Sequence, residues 1–151
     1  MILVVAALIE HDGRLLICQR RRGCNFPLQW EFPGGKVQRR ESPAEALARE
    51  LSEELGVDRP SVTIGVELYR TRHHYAEHSD ELELIFFAVS LDPRRVRNLA
   101  FERIAWAEPA TLPQYDFLPA DGELVGLLAS GILLPPRTTS ETAGRTEPSN
   151  R

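Results

Sequence analysis

The sequence predicts an α/β or α+β fold, in which helices cover a β-sheet. Segments with the composition of strands and helices follow one another in the order strands, helix, strands, helix, which is typical of layered folds. The length of 151 residues and the hydrophobic content of 42% are sufficient for one domain with a substantial core. We expect a single domain over residues 1–134 and a disordered tail over residues 135–151, which lacks large apolar side chains.

The first part of the chain contains two predicted strands and a short extended piece. Residues 2–10 and 14–19 are largely apolar and flank an Asp-Gly pair, which is a turn signal of β-hairpins. Residues 30–32 are expected to be extended as well. Proline and glycine at positions 33–35 then predict a break in the chain.

A helix is predicted to begin directly after Ser42. Ser42 can be the N-cap, Pro43 suits the first helical position, and Glu45 completes a capping box. Gly56 suits the left-handed residue that follows the end of a helix. The apolar positions that recur at helical spacing, and that predict the buried face, are Ala44, Leu47, Ala48, Leu51 and Leu55.

The second half of the chain predicts further strands and a second helix. Residues 61–72 and 82–91 are rich in β-branched, aromatic and other apolar side chains and are predicted to be strands. A shorter strand is expected over residues 102–107. Residues 119–130 have the pattern of a helix that ends at Gly131.

Charge and cysteine content exclude several classes of partner. The net charge of −4 and the pI near 5.6 argue against a nucleic-acid polymer or a membrane. No segment is long enough to span a membrane, and the short apolar N-terminus fits a core strand better than a signal peptide. Cys18 and Cys24 form neither a disulfide framework nor a zinc set. We expect a cytoplasmic protein that acts on a small molecule.

Three carboxylates on the first predicted helix indicate metal chemistry. Glu50, Glu53 and Glu54 are spaced at i, i+3 and i+4, which brings them to one face of a helix. Like charges at such positions cost about 0.2–0.5 kcal/mol per pair. A hard divalent cation relieves this repulsion, because Mg²⁺ binds carboxylate oxygens together with substrate phosphates.

These carboxylates belong to a longer pattern of defined positions. It is Gly35-x5-Glu41-x7-Arg49-Glu50-Leu51-x-Glu53-Glu54-x-Gly56-Val57. The pattern matches the Nudix box at every defined position, so the chain resembles a Nudix hydrolase. With residues 30–36 before the box, it is most similar to the MutT-like branch. The similarity runs from about Leu3 to Leu128.

The resemblance implies a fold and a reaction. The fold is an α/β/α sandwich around a mixed β-sheet. The reaction is hydrolysis of a nucleoside diphosphate linked to another moiety, with Mg²⁺ or Mn²⁺ as cofactor. MutT-like members convert a nucleoside triphosphate to the monophosphate and pyrophosphate, which implies an 8-oxo-dGTP or CTP/dCTP-type substrate and a role in nucleotide pool sanitation.

The resemblance also implies roles for residues around the helix. Glu50, Glu53 and Glu54 match metal-binding carboxylates, and the carbonyl of Gly34 matches a backbone metal ligand. Arg49 matches the arginine that orients a box glutamate. We favour Glu53 as the general base.

Two further carboxylates have open roles. Glu41 either braces the loop before the helix or contacts the metal. Glu102 is a candidate for an additional metal ligand, with a solvated surface carboxylate as the alternative.

The expected nucleotide-binding residues are Arg20, Gly35, Lys36, Phe117 and Asp121. In the MutT-like branch, an Asp or Asn at the position of Asp121 contacts the base edge. An ionised carboxylate suits an amino group such as that of cytosine, whereas a buried neutral acid can donate a hydrogen bond to a purine. The preferred base therefore stays open.

Two alternative functions stay open. One is hydrolysis of a sugar nucleotide or a dinucleoside polyphosphate, and the other is nucleotide binding without hydrolysis. His73, His74 and His78 are interpreted as a solvated connection rather than a zinc site. We expect a monomer or a homodimer.

Overall fold

The computed structural model describes residues 1–74 and 80–136 of the chain. His78 and most of the predicted tail, residues 137–151, lie outside the described residues. The strands are β1 (Ile2–His11), β2 (Arg14–Gln19), β3 (Trp30–Glu31), β4 (Gly34–Lys36), β5 (Thr63–His74), β6 (Glu81–Ser90) and β7 (Arg103–Ala107). The helices are α1 (Pro43–Leu55) and α2 (Gly122–Ala129).

The strands form a mixed sheet with β1 near its centre. The strand order is β3-β2-β1-β6-β5, with β4 paired to β1 and β7 paired to β2. β1 and β6 run parallel, and the other pairs are antiparallel. The predicted mixed sheet is confirmed.

The two helices lie on opposite faces of this sheet. Alternate side chains of a strand point to opposite faces. Val5 and Ala7 accordingly belong to the core beneath α1, together with Leu51. Leu8 belongs to the second core, together with Leu124 of α2. This arrangement is the predicted α/β/α sandwich.

Helix α1 begins and ends as the sequence predicts. The Ser42 side chain accepts a hydrogen bond from the Glu45 backbone, and the Glu45 side chain accepts one from the Ser42 backbone, 3.1 and 2.9 Å long. Pro43 is the first helical residue, and Gly56 has the left-handed conformation with φ of 70°. Ala46 is fully buried, whereas the predicted Ala44 is only half-buried.

The break predicted at residues 33–35 is wrong in part. Residues Gly34–Lys36 form β4, which pairs antiparallel with β1. Glycine has low strand propensity, so the sequence contains no local signal for this strand. The pairing depends on glycine nevertheless, because Gly34 has φ of 155° and a Cβ atom there would overlap the carbonyl oxygen of Val5.

The second helix begins later than predicted. Pro119–Asp121 is a 3₁₀ turn, in which the Asp121 N–H donates to the Leu118 carbonyl at 2.9 Å. The α-helical hydrogen bonds begin only at Gly122. Within residues 1–74 and 80–136, no helix is long and apolar enough to cross a membrane.

Candidate active site

One cleft connects the Nudix-type loop with the segment before α2. It encloses about 230 Å³. Its floor is the face of the sheet formed by Val4, Ala6, Leu82 and Leu84. One end contains Gly34, Gly35, Lys36 and Glu54, and the other contains Leu118, Ala120 and Asp121. Arg20, Glu31 and Phe32 line the cleft as well.

Glu54 is the partly buried carboxylate at the α1 end of the cleft. The backbone N–H of Gly34 donates to its Oε1 at 3.1 Å. Burial raises the pKa of Glu54 to about 9, and the neighbouring carboxylates of Glu50 and Glu31 raise it further. The crowded carboxylates are therefore costly to ionise together in the absence of a cation.

Glu50 lies against the backbone of β4. A Cβ atom at Gly35 would collide with the Glu50 carboxylate, so a larger residue there would displace that carboxylate from its place against β4. Burial raises the pKa of Glu50, an effect that Arg49 opposes.

Arg49 connects the carboxylates of the box with the loop before α1. Its guanidinium donates to both carboxylate oxygens of Glu41, at 2.6 and 3.0 Å. It also donates to Glu50 Oε2 at 2.9 Å and to the carbonyl of Lys36 at 3.0 Å. Glu41 also accepts from the Gln38 N–H at 2.9 Å, so it braces this loop. Hydrogen bonds from Arg49 are the first cause of the lowered pKa of Glu41.

Glu53 is the exposed member of the carboxylate set. Its side chain is 59% exposed, and Arg49 approaches it at 3.5 Å. It lies on the side of α1 that solvent reaches, where a water molecule has access.

The donor chemistry fits a hard divalent cation. In the described part of the chain, no group of three or more His, Cys, Asp or Glu side chains is already arranged to hold a metal ion. The carboxylates of Glu50, Glu54 and Glu31 are nevertheless close enough for Glu50 and Glu31 to raise the pKa of Glu54. Oxygen donors in a crowded anionic cluster are the ligands that Mg²⁺ prefers. The metal-binding role of each residue, including the Gly34 carbonyl, stays a prediction.

The far end of the cleft contains a buried acid. Asp121 is 3% exposed. Burial is the main cause of its strongly raised pKa, and Glu31 adds to it. Phe117 packs on Phe32 with ring centroids 5.3 Å apart, and the Leu118 N–H donates to the Trp30 carbonyl at 3.0 Å.

Arg20 reaches the cleft but is paired within the protein. It donates to both carboxylate oxygens of Glu31 at 3.2 Å and to the carbonyl of Asn25 at 2.8 Å. Burial raises the pKa of Glu31, although Arg20 opposes this shift. Glu31 is a cleft residue that the sequence patterns above do not identify. The available signal was an acidic residue between the aromatic residues Trp30 and Phe32.

Glu102 lies in different surroundings from the box carboxylates. It forms an ion pair of 3.8 Å with Arg22. Its backbone N–H donates to the Gln19 carbonyl at 2.8 Å. Its role as a metal ligand stays a prediction.

His73 and His74 lie on β5 and, among the described residues, join no metal-binding cluster.

The sequence matches the family model of the NUDIX domain over residues 2–127. The chain belongs to the Nudix family. It is similar to the CTP pyrophosphohydrolase of Escherichia coli (strain K12), with 36% identity over 80% of this chain and 86% of the relative. It is also similar to the 8-oxo-dGTP diphosphatase of Haemophilus influenzae, with 32% identity over 83% and 89% of the two chains.

Solved structures agree with this membership. The solution structure of the E. coli ORF135 protein has a TM-score of 0.70 and 30% identity, over 100% of this chain and 95% of that one. The MutT NUDIX hydrolase from Burkholderia pseudomallei has a TM-score of 0.64 and 27% identity, over 83% and 95% of the two chains. The predicted family, fold class and enzyme class are confirmed. Members of this family generally need a divalent metal.

Proposed function

We propose that this protein is a Mg²⁺- or Mn²⁺-dependent nucleoside triphosphate pyrophosphohydrolase with a preference for CTP or dCTP. The observation that carries this proposal is the cleft that Glu54 of α1 and the buried Asp121 line together. Such a cleft can hold the phosphates at one end and the base at the other. Oxidised dGTP, the substrate named for one relative, is the competing triphosphate.

The phosphate end is proposed to contain the metal ligands Glu50, Glu53, Glu54 and the Gly34 carbonyl. A bound Mg²⁺ would supply positive charge against the pyrophosphate bridge and increase the acidity of a water molecule. Arg49 keeps Glu50 oriented through its 2.9 Å hydrogen bond. Gly35 and Lys36 present backbone close to the phosphates, and the ammonium group of Lys36 can neutralise a phosphate oxygen.

Glu53 is our proposed general base. Its carboxylate is exposed to solvent and can take a proton from the attacking water. Addition of that water across the anhydride yields the nucleoside monophosphate and pyrophosphate. Burial of Glu54 suits it to holding cation charge rather than to exchanging protons with solvent.

The base end is compatible with cytosine. The raised pKa of the buried Asp121 keeps its carboxyl group protonated, so its carbonyl oxygen can accept a hydrogen bond from the exocyclic amino group of cytosine, and its hydroxyl can donate to a ring nitrogen, as it can to a purine. The relative with 36% identity is named for CTP, and this name favours cytosine over the oxidised purine. Phe32 provides an aromatic ring beside the base, and Phe117 packs against that ring from outside the cleft. The ion pair of Arg20 and Glu31 provides polar groups in the cleft.

The proposal includes the remaining biological assignments. Residues 1–134 form one catalytic domain, and the protein acts in the cytoplasm as a monomer or homodimer. Its role is to remove unwanted nucleotides from the triphosphate pool. The net charge of −4 supports a small-molecule substrate rather than a nucleic-acid polymer.

A nucleotide panel tests the proposed reaction. Release of pyrophosphate and monophosphate is measured with Mg²⁺ for CTP, dCTP, UTP, oxidised dGTP, ADP-ribose and diadenosine polyphosphates. We expect the highest kcat/KM for CTP or dCTP. Turnover of only ADP-ribose or a diadenosine polyphosphate would show that the proposed substrate class, nucleoside triphosphates, is wrong. Binding without any product would indicate a nucleotide-binding module.

A further inference from the structure

A hydrogen bond connects the edge strand of the sheet with the helix beyond the cleft. The hydroxyl of Tyr69 on β5 donates to the carboxylate of Glu123 in the first turn of α2. Glu123 follows Asp121 by two residues. The bond therefore joins the sheet to the segment that carries the buried acid of the cleft.

The ring of Tyr69 is held on the sheet face that forms the cleft floor. Tyr69 is opposite Phe86 in the β5–β6 pair, and the two ring centroids are 6.1 Å apart. Next along the same register, Thr71 is opposite Leu84, which lines the cleft. Burial and the Glu123 carboxylate raise the pKa of Tyr69 to about 12, so the hydroxyl stays a donor at neutral pH.

Backbone hydrogen bonds hold the segment from Pro119 to Glu123 on its N-terminal side, and buried side chains of α2 anchor the helix that follows it. Before it, the Leu118 N–H donates to the Trp30 carbonyl, and the Trp30 N–H donates to the Asp116 carbonyl. Neither the 3₁₀ turn at Pro119–Asp121 nor α2 has a side-chain cap at its N-terminus. The Tyr69–Glu123 bond supplies a side-chain connection on the C-terminal side.

We propose that Tyr69 and Glu123 are positioning residues for base selection, which act by holding Asp121 at a fixed depth in the cleft. This inference rests on the proposed function, because it requires Asp121 to contact the base. Neither residue lines the cleft itself. Their loss should change nucleotide binding and base preference while the carboxylates of α1, and thus the chemical step, stay unchanged.

Three variants separate the hydrogen bond from other properties of these side chains. Tyr69→Phe keeps the ring on Phe86 and removes only the hydroxyl. Glu123→Ala removes the acceptor, whereas Glu123→Gln keeps an oxygen that can accept from Tyr69. Tyr115→Phe is the matched control, because Tyr115 packs on Trp30 in the same aromatic cluster but does not line the cleft.

The experiment compares the best triphosphate of the panel with a triphosphate that differs at the base edge, such as CTP with UTP. We expect Tyr69→Phe and Glu123→Ala to raise KM for the best triphosphate about three- to tenfold, which corresponds to the net value of one hydrogen bond. We expect kcat to stay within about twofold and the preference between the two bases to decrease. The double variant should lose no more than either single variant.

Calorimetry with the monophosphate product in EDTA provides a readout without metal or turnover. Its dissociation constant should rise in Tyr69→Phe and Glu123→Ala by the same factor as KM. Glu123→Gln and Tyr115→Phe should bind as the wild type does. Melting temperatures identify any general loss of stability.

Two results would overturn the inference in distinguishable ways. If the wild type prefers one triphosphate but Tyr69→Phe keeps the same KM and base preference, the positioning role is wrong and the proposed function stands. A lower melting temperature alone, without a change in KM, has the same meaning. If the wild type hydrolyses no triphosphate, both proposals are wrong.

Discussion

Carboxyl groups beside the cleft and inside it lie in opposite surroundings. Beside the cleft, hydrogen bonds from Arg49 lower the pKa of Glu41. Inside the cleft, burial raises the pKa of Glu54 at the α1 end and of Asp121 at the other end. The comparison shows how one functional group can serve different purposes. The carboxylate that Arg49 neutralises stays charged and braces a loop, whereas the two carboxyl groups in the cleft are costly to ionise and are suited to binding a cation and a base.

The largest expected effect is at the α1 end. We expect Glu53→Gln and Glu54→Gln to reduce kcat by at least about a hundredfold, because each removes an anionic oxygen proposed for proton transfer or metal binding. The fold should be retained, since glutamine at position 54 relieves the crowding of like charges and can still accept from Gly34. Steady-state kinetics and thermal melting provide the measurements.

Glu108→Gln is the matched control for these variants. Glu108 is exposed and its side chain lies 4.0 Å from Arg14, away from the cleft. Its substitution should leave kcat unchanged. Full activity of both Glu53→Gln and Glu54→Gln on the best nucleotide would refute the catalytic role of the α1 face.

The next largest effect should be on base preference. Asp121→Ala removes both the oxygen that can accept a hydrogen bond from the base and the hydroxyl that the protonated carboxyl can donate. We expect the ratio of kcat/KM for CTP over oxidised dGTP to fall by at least about tenfold. Asp116→Ala changes an exposed acid of the same segment and should keep the wild-type ratio. An unchanged ratio in Asp121→Ala would show that Asp121 does not select the base.

The burial of Asp121 also predicts a pH dependence of stability. Its folded pKa lies above the unfolded value, so the folded state retains a proton that the unfolded chain has released. Between these two pKa values, the free energy of unfolding should fall as pH rises, by up to about 1.4 kcal/mol per unit. The stabilising contribution is complete below the unfolded pKa and is lost as pH rises towards the folded pKa.

Urea unfolding in EDTA from pH 5 to 8 measures this contribution. We expect Asp121→Asn to show a flatter dependence than the wild type over this range. Asp116→Asn serves as the control and should keep the wild-type dependence of the free energy of unfolding on pH. Identical slopes for Asp121→Asn and wild type would mean that the buried acid ionises normally.

The smallest expected effect concerns Glu102. Its ion pair with Arg22 is largely exposed, and such pairs contribute about 0–1 kcal/mol to stability. We expect Glu102→Gln to leave the Mg²⁺ concentration for half-maximal activity within about twofold, since the carboxylate pairs outside the box. A tenfold higher Mg²⁺ concentration for half-maximal activity would indicate that Glu102 is a metal ligand.

The sequence predicts the α1 end well because its information is local. The spacing of Glu50, Glu53 and Glu54 lies within two helical turns, and the caps at Ser42 and Gly56 delimit the helix. Side chains on one rigid helix keep their relative positions wherever the helix packs. Sequence patterns therefore identify both the element and its functional face.

The base end is harder to predict because distant segments form it. Glu31 and Asp121 are 90 positions apart in the sequence, and their proximity depends on the way β3 meets the turn before α2. The strand β4 was missed for a similar reason, since its pairing with β1 requires glycine rather than strand-forming residues. The Tyr69–Glu123 bond likewise joins residues 54 positions apart.

The close contact between β4 and α1 has a consequence for engineering. A side chain at position 35 would displace the Glu50 carboxylate, and position 34 has a conformation that other residues rarely adopt. Mutant libraries intended to change the substrate range should therefore leave these two codons fixed. Diversity placed at Phe117, Tyr69 and Glu123, which lie behind the base end of the cleft, would change the support of Asp121 while the phosphate end keeps its shape.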